Sequence, residues 1–516
     1  MRRLFWLMFA VLMNIQQAFA FNVDKFMDEK IAPVCNSIAD VIFVHVTNNG
    51  LQILPEGSEK WADVSISVPF IILWILIAGI FFTIYFKGIA IWGLKHSIEQ
   101  LIKPKKNAGS GDVSPFQALA TALSGTIGIG SIAGVALSIS IGGPGAAFWI
   151  FFGAILGMSI KFAEATLAVK YRRFNLDGTI SGGPMHYIAH GLTRKGMRWL
   201  GQPLAVLFAI LCIGGGITGG NMIQINQTAH QIVFITGKEA SIFHSATWII
   251  GLVIAILIWL VVVGGIKSIA KVTTILTPTM CFLYIISGII VIIHNYANIP
   301  AGIELILREA FNPSAISGGF LGIMVIGLRR SVQSNEAGTG AAAIVYAAAQ
   351  SKEPVSQGFI ALLETLLTGI LCLFTSFAIV FSGALNGVQP GKVEGIELAS
   401  SAFQHTISFF PIILSIIAVL FALSTLISWA YYGQKAWTYL FGEGRKRVLL
   451  FNFIYCAFIV IGACLNVKAI LNITDAMMLA MSIPNLIAIY ILAPEIKKAM
   501  NDYCQKFLAG GKKNNG

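Results

Sequence analysis

Two apolar segments of the chain are each interrupted by glycine and polar residues. The first interruption covers residues 124–131 and contains Gly125, Gly128 and Gly130, and the second covers residues 329–340. Glycine tolerates non-helical backbone. Inside a bilayer, unwound backbone survives where it lines a cavity; its N–H groups suit a carboxylate and its carbonyls suit a cation. The pair of interruptions therefore predicts a site for an anionic or zwitterionic substrate and a cation.

The elements that must position this site are membrane helices. Of 516 residues, 56% are hydrophobic and 11% are charged, whereas soluble domains run at about 25% charged. A spanning helix needs ~20 apolar residues. The composition predicts an all-α polytopic membrane protein with eleven transmembrane helices. The predicted spans are 68–92, 116–140, 146–169, 202–226, 243–265, 272–294, 317–349, 357–382, 407–432, 448–465 and 473–494.

The spacing of the two interruptions predicts an internal repeat. Five spans within residues 116–294 and five within 317–494 each begin with an interrupted span, and an extra helix at 68–92 precedes them. Because five is odd, the second set starts on the opposite side of the membrane, which is the pattern of an inverted 5+5 repeat with a midplane site. The alternative is that these glycines only allow close helix packing.

The start of the chain predicts a signal peptide at residues 1–20, with Arg2 and Arg3, an apolar run and an Ala18-Phe19-Ala20 end. An uncleaved anchor is the alternative. Residues 21–67 would form an extracytoplasmic segment and 495–516 a cytoplasmic tail. Most Lys and Arg lie in loops after odd-numbered spans and in this tail. The positive-inside rule then places the mature N-terminus outside and the C-terminus in the cytoplasm, in a bacterial inner membrane.

Several function classes lack support in the sequence. The net charge of +12 is explained by cytoplasmic loops, so no nucleic-acid partner is expected, and no obligate protein partner is evident. The seven cysteines form no CxxC pair, and HExxH, GxSxG and P-loop motifs are absent. We therefore expect neither an enzyme nor a cofactor.

A set of motifs in a fixed order resembles one known family. Two examples are Gly128-Ile129-Gly130-Ser131 and Ser334-Asn335-Glu336-Ala337-Gly338. The full set lies at residues 125–136, 142–146, 161–164, 181–185, 220–224, 264–267, 334–338, 429–433 and 483–486. It resembles the alanine or glycine:cation symporter family, also called sodium:alanine symporters, over roughly residues 68–500. The resemblance implies a LeuT-like fold and sodium-coupled uptake of small neutral amino acids. Ser131 departs from it, since the family usually has Asn there.

The first interruption supplies the main predicted ligands. Thr126, Gly128 and Gly130 are assigned to the substrate carboxylate, and Ser131 adds a hydroxyl. The resemblance also implies a sodium site between this interruption and the ninth span. Its predicted oxygen donors are Gly125, Thr126, Ser424 and Thr425. The alternative for Ser424 and Thr425 is hydrogen bonding within their own helix.

Further candidates lie in other spans. Trp429 shares a helix face with Thr425 and would cap a small pocket; an interfacial belt position is the alternative. Gln224 and Asn226 would contact the substrate or hold helices together. Asn335 and Gly338 mark the second interruption as substrate-binding candidates.

Charged residues in the apolar spans are interpreted as structural. Glu336 is predicted to pair with Arg329 or Arg330, because buried charges need partners. An interaction with the substrate ammonium is the alternative for Glu336. Lys161 and Glu164, three residues apart, are predicted to form a local ion pair. Glu364 and Asp475 are predicted to lie at helix ends, and a role in relaying protons is the alternative.

The repeat pattern predicts a secondary transporter in the lipid bilayer, and the resemblance implies that it is a sodium-coupled symporter that imports alanine or glycine by alternating access, with Na⁺ as the coupling ion. A proton-coupled carrier of another small zwitterion stays open as an alternative. An ion channel is disfavoured because the sequence shows no ring of like charge or repeated filter.

Overall fold

The computed structural model describes residues 70–102, 109–175, 178–312, 319–385, 395–465 and 467–509. The predicted signal peptide and the segment at 21–67 lie outside these residues. So does the end of the predicted tail at 510–516.

The first described helices are bent against each other. Helix α1 (Phe70–Tyr85) and helix α2 (Ile89–Ile102) meet at 72°. Lys87 (φ 56°) and Gly88 (φ 68°) at the junction have left-handed backbone, which an α-helix cannot continue through. The predicted span at 68–92 therefore covers α1 and only the beginning of α2.

The first interruption is a real break in a helix. Helix α3 (Pro115–Thr126) starts with a capping box in which Ser114 and Gln117 bond each other's backbone. After Thr126 the backbone leaves the helix, and a π-helical turn (Gly130–Gly134) leads into α4 (Val135–Gly142). The two parts are inclined by 54°.

The helices that complete the first half follow in chain order. They are α5 (Ala146–Lys170), α6 (Pro184–Arg194), α7 (Arg198–Ile217), a π-helical turn (Thr218–Met222), α8 (Ile223–Ile235), α9 (Thr247–Val262) and α10 (Gly265–His294). Between α5 and α6, strand β1 (Arg173–Phe174) pairs antiparallel with β2 (Ile180–Ser181). This hairpin is a small exception to the predicted all-α class.

The second half contains the other break. Its helices are α11 (Ile299–Ala310), α12 (Gly319–Asn335), α13 (Ala343–Ala347), α14 (Pro354–Phe381), α15 (Gly395–Gln404), α16 (Phe410–Phe441), α17 (Arg445–Cys464), α18 (Val467–Ala480) and α19 (Ser482–Cys504). Helix α12 ends where Glu336 (φ 53°), Gly338 (φ 91°) and Gly340 (φ 80°) take left-handed conformations. The chain becomes helical again only at α13.

The structure is that of a helical membrane protein. Among the described residues, seven helices are long and apolar enough to cross a bilayer, or nine if each bent pair forms one span. The count of eleven therefore stays a prediction.

Helices α5 and α14 form the centre of the molecule. In each, 72% of the most apolar window is buried, against 33% for α10. They pack along each other, and a Cβ at Gly369 of α14 would lie 2.7 Å from the Cβ of Ala154 on α5. Small residues let membrane helices approach this closely. Helix α14 contacts the π-helical turn of the first break, and both helices of the pair contact α12, which ends at the second break.

Candidate functional site

A cavity of about 1350 Å³ lies beside the first break. Its wall includes seven of the predicted site residues, namely Gly125, Thr126, Gly128, Gly130, Gln224, Thr425 and Trp429. The other predicted residues lie outside the cavity wall; they are Ser131, Asn226, Asn335, Gly338 and Ser424. The cavity thus gathers most of the first break together with side chains of α8 and α16.

Gln224 holds the first break in its unwound conformation. Its Oε1 accepts a hydrogen bond from the Ile129 backbone N–H at 3.1 Å, and its Nε2 donates to the Gly219 carbonyl at 3.1 Å. Gly219 belongs to the π-helical turn between α7 and α8. One amide side chain therefore satisfies backbone groups of two irregular segments, which unwound backbone in a membrane requires.

Helices α3 and α16 are joined by hydroxyl groups. Thr425 Oγ1 donates to the Ser124 carbonyl at 3.1 Å, and Ser424 Oγ reaches the same carbonyl at 3.3 Å. Ser124 Oγ donates back to the Ser424 carbonyl at 2.6 Å. Ser424 also bonds Phe421 of its own helix at 2.8 Å, as the sequence alternative expected. Neutral hydroxyl and carbonyl oxygens concentrated in this way fit a hard monovalent cation.

Trp429 is buried in the interior and does not lie at a lipid interface. Its side chain is 1% exposed, and Gly216 and Gly220 of the neighbouring segments leave room for its ring. The indole Nε1 donates to Glu336 Oε1 at 3.1 Å. Trp429 therefore connects α16 to the second break at the cavity wall.

Asn226 holds helices together. Its Nδ2 donates to the carbonyls of Gly462 and Leu465, at 3.0 and 2.6 Å. Gly462 lies in the last turn of α17, and Leu465 directly follows that helix. Of the two alternatives that the sequence left for this amide, the structure shows helix–helix bonding.

The second break is held by polar groups behind the cavity. Asn335 donates to Ser331 Oγ at 3.0 Å and accepts from the Ala337 backbone at 2.9 Å. The Gly338 backbone N–H donates to Glu164 Oε1 at 3.0 Å, and its carbonyl accepts from Asn485 at 2.7 Å. Asn335 and Gly338 thus shape the break without reaching the cavity wall.

The predicted ion pairs are corrected by the structure. Lys161 bonds Glu364 at 2.9 Å, whereas its i+3 neighbour Glu164 accepts from Gly338 and Asn485. Glu364 is fully buried within α14 and does not lie at a helix end. The predicted pair of Lys161 with Glu164 was wrong because α14, packed against α5, places the carboxylate of Glu364 next to Lys161.

The partners of the second-break charges also differ from the prediction. Glu336 accepts from Trp429, and Arg329 forms its ion pair with Asp475 of α18. Asp475 also accepts from Gln333, so it links two residues of α12 that are one turn apart. Asp475 therefore lies within a helix and has a tertiary partner.

Sequence reasoning missed the polar wall of the cavity. Arg330, Gln333 and Asp475 line it, and Arg330 donates to Gln333 at 3.2 Å and to Ser334 at 3.1 Å. The spacing of polar residues could have indicated this wall. Residues four apart share a helix face, and Gln333 follows Arg329 by four, so the two predict one polar face of the helix.

Away from the cavity, a compact group of backbone contacts joins the two halves of the chain. Val113 and Ala349 form a parallel bridge. Arg172 donates to carbonyls on both sides of it, at Ala347 (3.1 Å), Ala349 (2.6 Å), Ser110 (2.8 Å) and Ser351 (2.9 Å). Burial lowers the pKa of Arg172, and the nearby carboxylate of Asp112 opposes this shift. These contacts therefore join the two halves of the chain at residues that lie outside the cavity wall.

His186 of α6 lies on the same side of the protein. Burial, with His190, Arg173 and Lys435 nearby, lowers the pKa of His186 to about 3. The imidazole is therefore neutral in the folded protein at physiological pH.

The chain is similar in sequence to known proteins. The sequence model of the sodium:alanine symporter family matches residues 54–515. The chain is 36% identical over 440 residues to the sodium/alanine symporter AgcS of Methanococcus maripaludis, covering 84% of this chain and 94% of that protein. It is 33% identical over 443 residues to the probable sodium/glutamine symporter GlnT of Bacillus subtilis, covering 85% of this chain and 89% of that one.

A solved structure has a similar fold. The crystal structure of MhsT in complex with L-phenylalanine, a LeuT-fold transporter, superimposes with a TM-score of 0.54 at 14% identity. The match covers 74% of this chain and 89% of MhsT. At this identity the likeness shows the fold alone.

Proposed function

Because the chain belongs to the sodium:alanine symporter family, we propose that it imports a small neutral amino acid, alanine or glycine, together with Na⁺ by alternating access. The family is one of multi-pass amino-acid:cation symporters, so the protein is a transporter and not an enzyme. The observation that carries the proposal is a single cavity bordered by the first break, Gln224, Thr425 and Trp429.

The substrate carboxylate binds at the first break. The helical segment that starts at Gly130 begins at the cavity wall, and its amino end carries a partial positive charge. Thr126, Gly128 and Gln224 form the adjacent wall, and Trp429 limits the room for a side chain. The remaining predicted residues support this wall from behind; they are Ser131, Asn226, Asn335 and Gly338.

Sodium binds between α3 and α16. Its ligands are oxygens of Gly125, Thr126, Ser424 and Thr425, all of them neutral. The hydroxyl–carbonyl contacts of Ser424 and Thr425 with Ser124 support this assignment, because they bring oxygen atoms of α3 and α16 together next to Thr425, which lines the cavity. Sodium bound there adjoins the substrate carboxylate, so each ligand raises the affinity for the other.

The cavity opens to the outside in this conformation. Lys238 and Glu239 at its mouth lie in a loop that the charge-based topology places outside. The Arg172 contacts lie on the side that the same topology assigns to the cytoplasm. Transport then requires the cavity mouth to close and the Arg172 contacts to separate. The architecture that we propose for this cycle is the one predicted from the sequence: an extra first helix followed by two inverted repeats at 116–294 and 317–494. The protein lies in the inner membrane, with its C-terminus in the cytoplasm.

The test is uptake of labelled alanine and glycine into proteoliposomes. Under an inward sodium gradient we expect accumulation, and with potassium in place of sodium we expect none. Thr425→Ser keeps the hydroxyl and should retain sodium activation, whereas Thr425→Ala should lose it. Uptake driven by a proton gradient alone would contradict sodium coupling, and non-saturable flux would indicate a channel.

A further inference from the structure

Three carboxyl groups in the core share one lysine. Glu164, Glu336 and Glu364 are 1%, 2% and 0% exposed, and Lys161 is 1% exposed. Among the described residues, the ion pair of Lys161 is with Glu364, at 2.9 Å. Tyr346 donates its hydroxyl to the other Glu364 oxygen at 2.8 Å. Lys161 therefore balances the charge of Glu364, and among the described residues it forms no ion pair with Glu164 or Glu336.

The other two carboxyl groups have only neutral hydrogen-bond donors among the described residues. Glu164 Oε1 accepts from Asn485 at 2.8 Å and from the Gly338 backbone at 3.0 Å. Within the described part of the chain, Glu336 Oε1 accepts only from Trp429, at 3.1 Å. In both groups the Oε2 atom is buried without a partner in the described part of the chain. Two buried negative charges without cations are strongly unfavourable, and a proton on one of them removes much of the cost.

Glu336 is the better place for that proton. Hydrogen bonds to a carboxylate favour its charged form, and Glu164 accepts two where Glu336 accepts one. Glu336 also borders the cavity, which Glu164 does not. Cavity water gives Glu336 a route for proton exchange.

The surroundings of Glu336 come from several elements. Its titratable and charged neighbours are Lys161 and Glu164 on α5, Cys212 on α7, Glu364 on α14 and Tyr432 on α16, with Arg329, Arg330 and Asp475 along the cavity wall. Of these, Lys161 is paired with Glu364 and Arg329 with Asp475. Arg330 is held by Ser334 and Gln333. Glu336 therefore has no dedicated cation among the described residues.

We propose that Glu336 is a proton-binding residue, which carries a proton in the ligand-free cavity and releases it to cavity water when sodium and the amino acid bind. The reason for release is charge. A zwitterion is neutral overall, so the loaded cavity gains one positive charge from Na⁺, and a nearby positive charge favours the ionised carboxylate. The released proton leaves as hydronium or buffer acid, and no bond to the substrate forms. This release step rests on the proposed function, whereas the resident proton does not.

The resident proton is tested without any substrate. Infrared spectra of the purified protein in lipid nanodiscs, in sodium-free buffer at neutral pH, should contain a protonated-carboxyl C=O band. The band should be absent from Glu336→Gln, present in the matched control Glu164→Gln, and retained by Glu336→Asp, which keeps an acid. A band that is missing from the wild type, or that is lost in Glu164→Gln and kept in Glu336→Gln, would overturn the assignment.

Proton release is tested separately with a pH-indicator dye in weakly buffered solution. Adding alanine with Na⁺ to the wild type should release up to about one proton per chain, and K⁺ in place of Na⁺ should release none. Glu336→Gln should bind alanine without release. Sodium-dependent binding without release would refute the release step. Failure to bind alanine would count against the proposed substrate, while the infrared result would still decide the resident proton.

Discussion

Replacing Gly128 with alanine tests the site most directly. A Cβ there would lie 2.8 Å from Gln224 Oε1 and 2.9 Å from Thr425 Oγ1, closer than ordinary van der Waals contact. Both atoms belong to the proposed wall, and Gln224 Oε1 is needed by the Ile129 N–H. The φ angle of Gly128 is not left-handed, so the effect is steric and not conformational.

The size of the effect follows from overpacking. Forcing a methyl group into a packed site costs about 1–3 kcal/mol, which corresponds to roughly a 5- to 150-fold change in a binding constant. We expect Gly128→Ala to raise the alanine KM and the sodium concentration for half-maximal uptake within that range. The assay is the initial rate of alanine uptake into proteoliposomes at varied sodium and alanine concentrations.

Gly216→Ala is the matched control. Its added Cβ would first meet Trp429 Cε3 at 3.5 Å, an ordinary contact in the same region. The added methyl group there should cost less than about 0.5 kcal/mol. The alanine KM and the sodium concentration for half-maximal uptake should therefore change by about twofold or less. Unchanged kinetics in a monodisperse Gly128→Ala protein would refute the proposed wall. Equal damage from Gly216→Ala would show that any added methyl is harmful and that the site has no special role.

Three further predictions concern single side chains. Thr425→Ala should leave a stable protein whose uptake no longer rises with sodium, and an unchanged sodium activation curve would remove Thr425 from the ligand set. Lys161→Met leaves Glu364 buried without a cation and should cost about 3–5 kcal/mol of stability; thermal unfolding of the purified protein should show this loss, with Glu364→Gln restoring most of it, and a wild-type unfolding midpoint in the single variant would contradict the pairing. Burial lowers the pKa of His186 to about 3, while an unfolded histidine has a pKa of about 6.5, so the unfolded state binds a proton that the folded state does not, and stability should fall as the pH drops from about 6.5 towards 3. In His186→Phe, the free energy of unfolding should depend less steeply on pH in this range, by up to about 1.4 kcal/mol per pH unit. An unfolding midpoint with the same pH dependence as the wild type would show that His186 does not cause the acid sensitivity.

The helical membrane fold and the two breaks were predictable because their signals are local. A run of apolar residues spans a bilayer whatever surrounds it, and the glycines at 125, 128 and 130 mark unwinding within a few residues of where it occurs. The family was likewise predictable from short motifs, and the match over residues 54–515 confirms it.

Side-chain partners were not predictable in the same way. Lys161 has an acid three residues away, yet its ion pair is with Glu364, 203 residues along the chain. The choice depends on α14 packing against α5, and no spacing within one helix encodes it. The same reason explains why Asn335 and Gly338 support the break from behind, since a residue's position at a break does not say which side of it faces the cavity.

The separation of Lys161 from Glu364 has a consequence for biosynthesis. At about 5–20 residues per second, a ribosome needs about 10–40 s to extend the chain by the 203 positions from Lys161 to Glu364. For that time α5 must enter the membrane with its lysine before its permanent partner exists. Glu164, one turn further along the same helix, can accompany the lysine during this interval. The ion pair of Lys161 can therefore form only after α14 has been synthesised, so this contact between the two halves is completed late in biosynthesis.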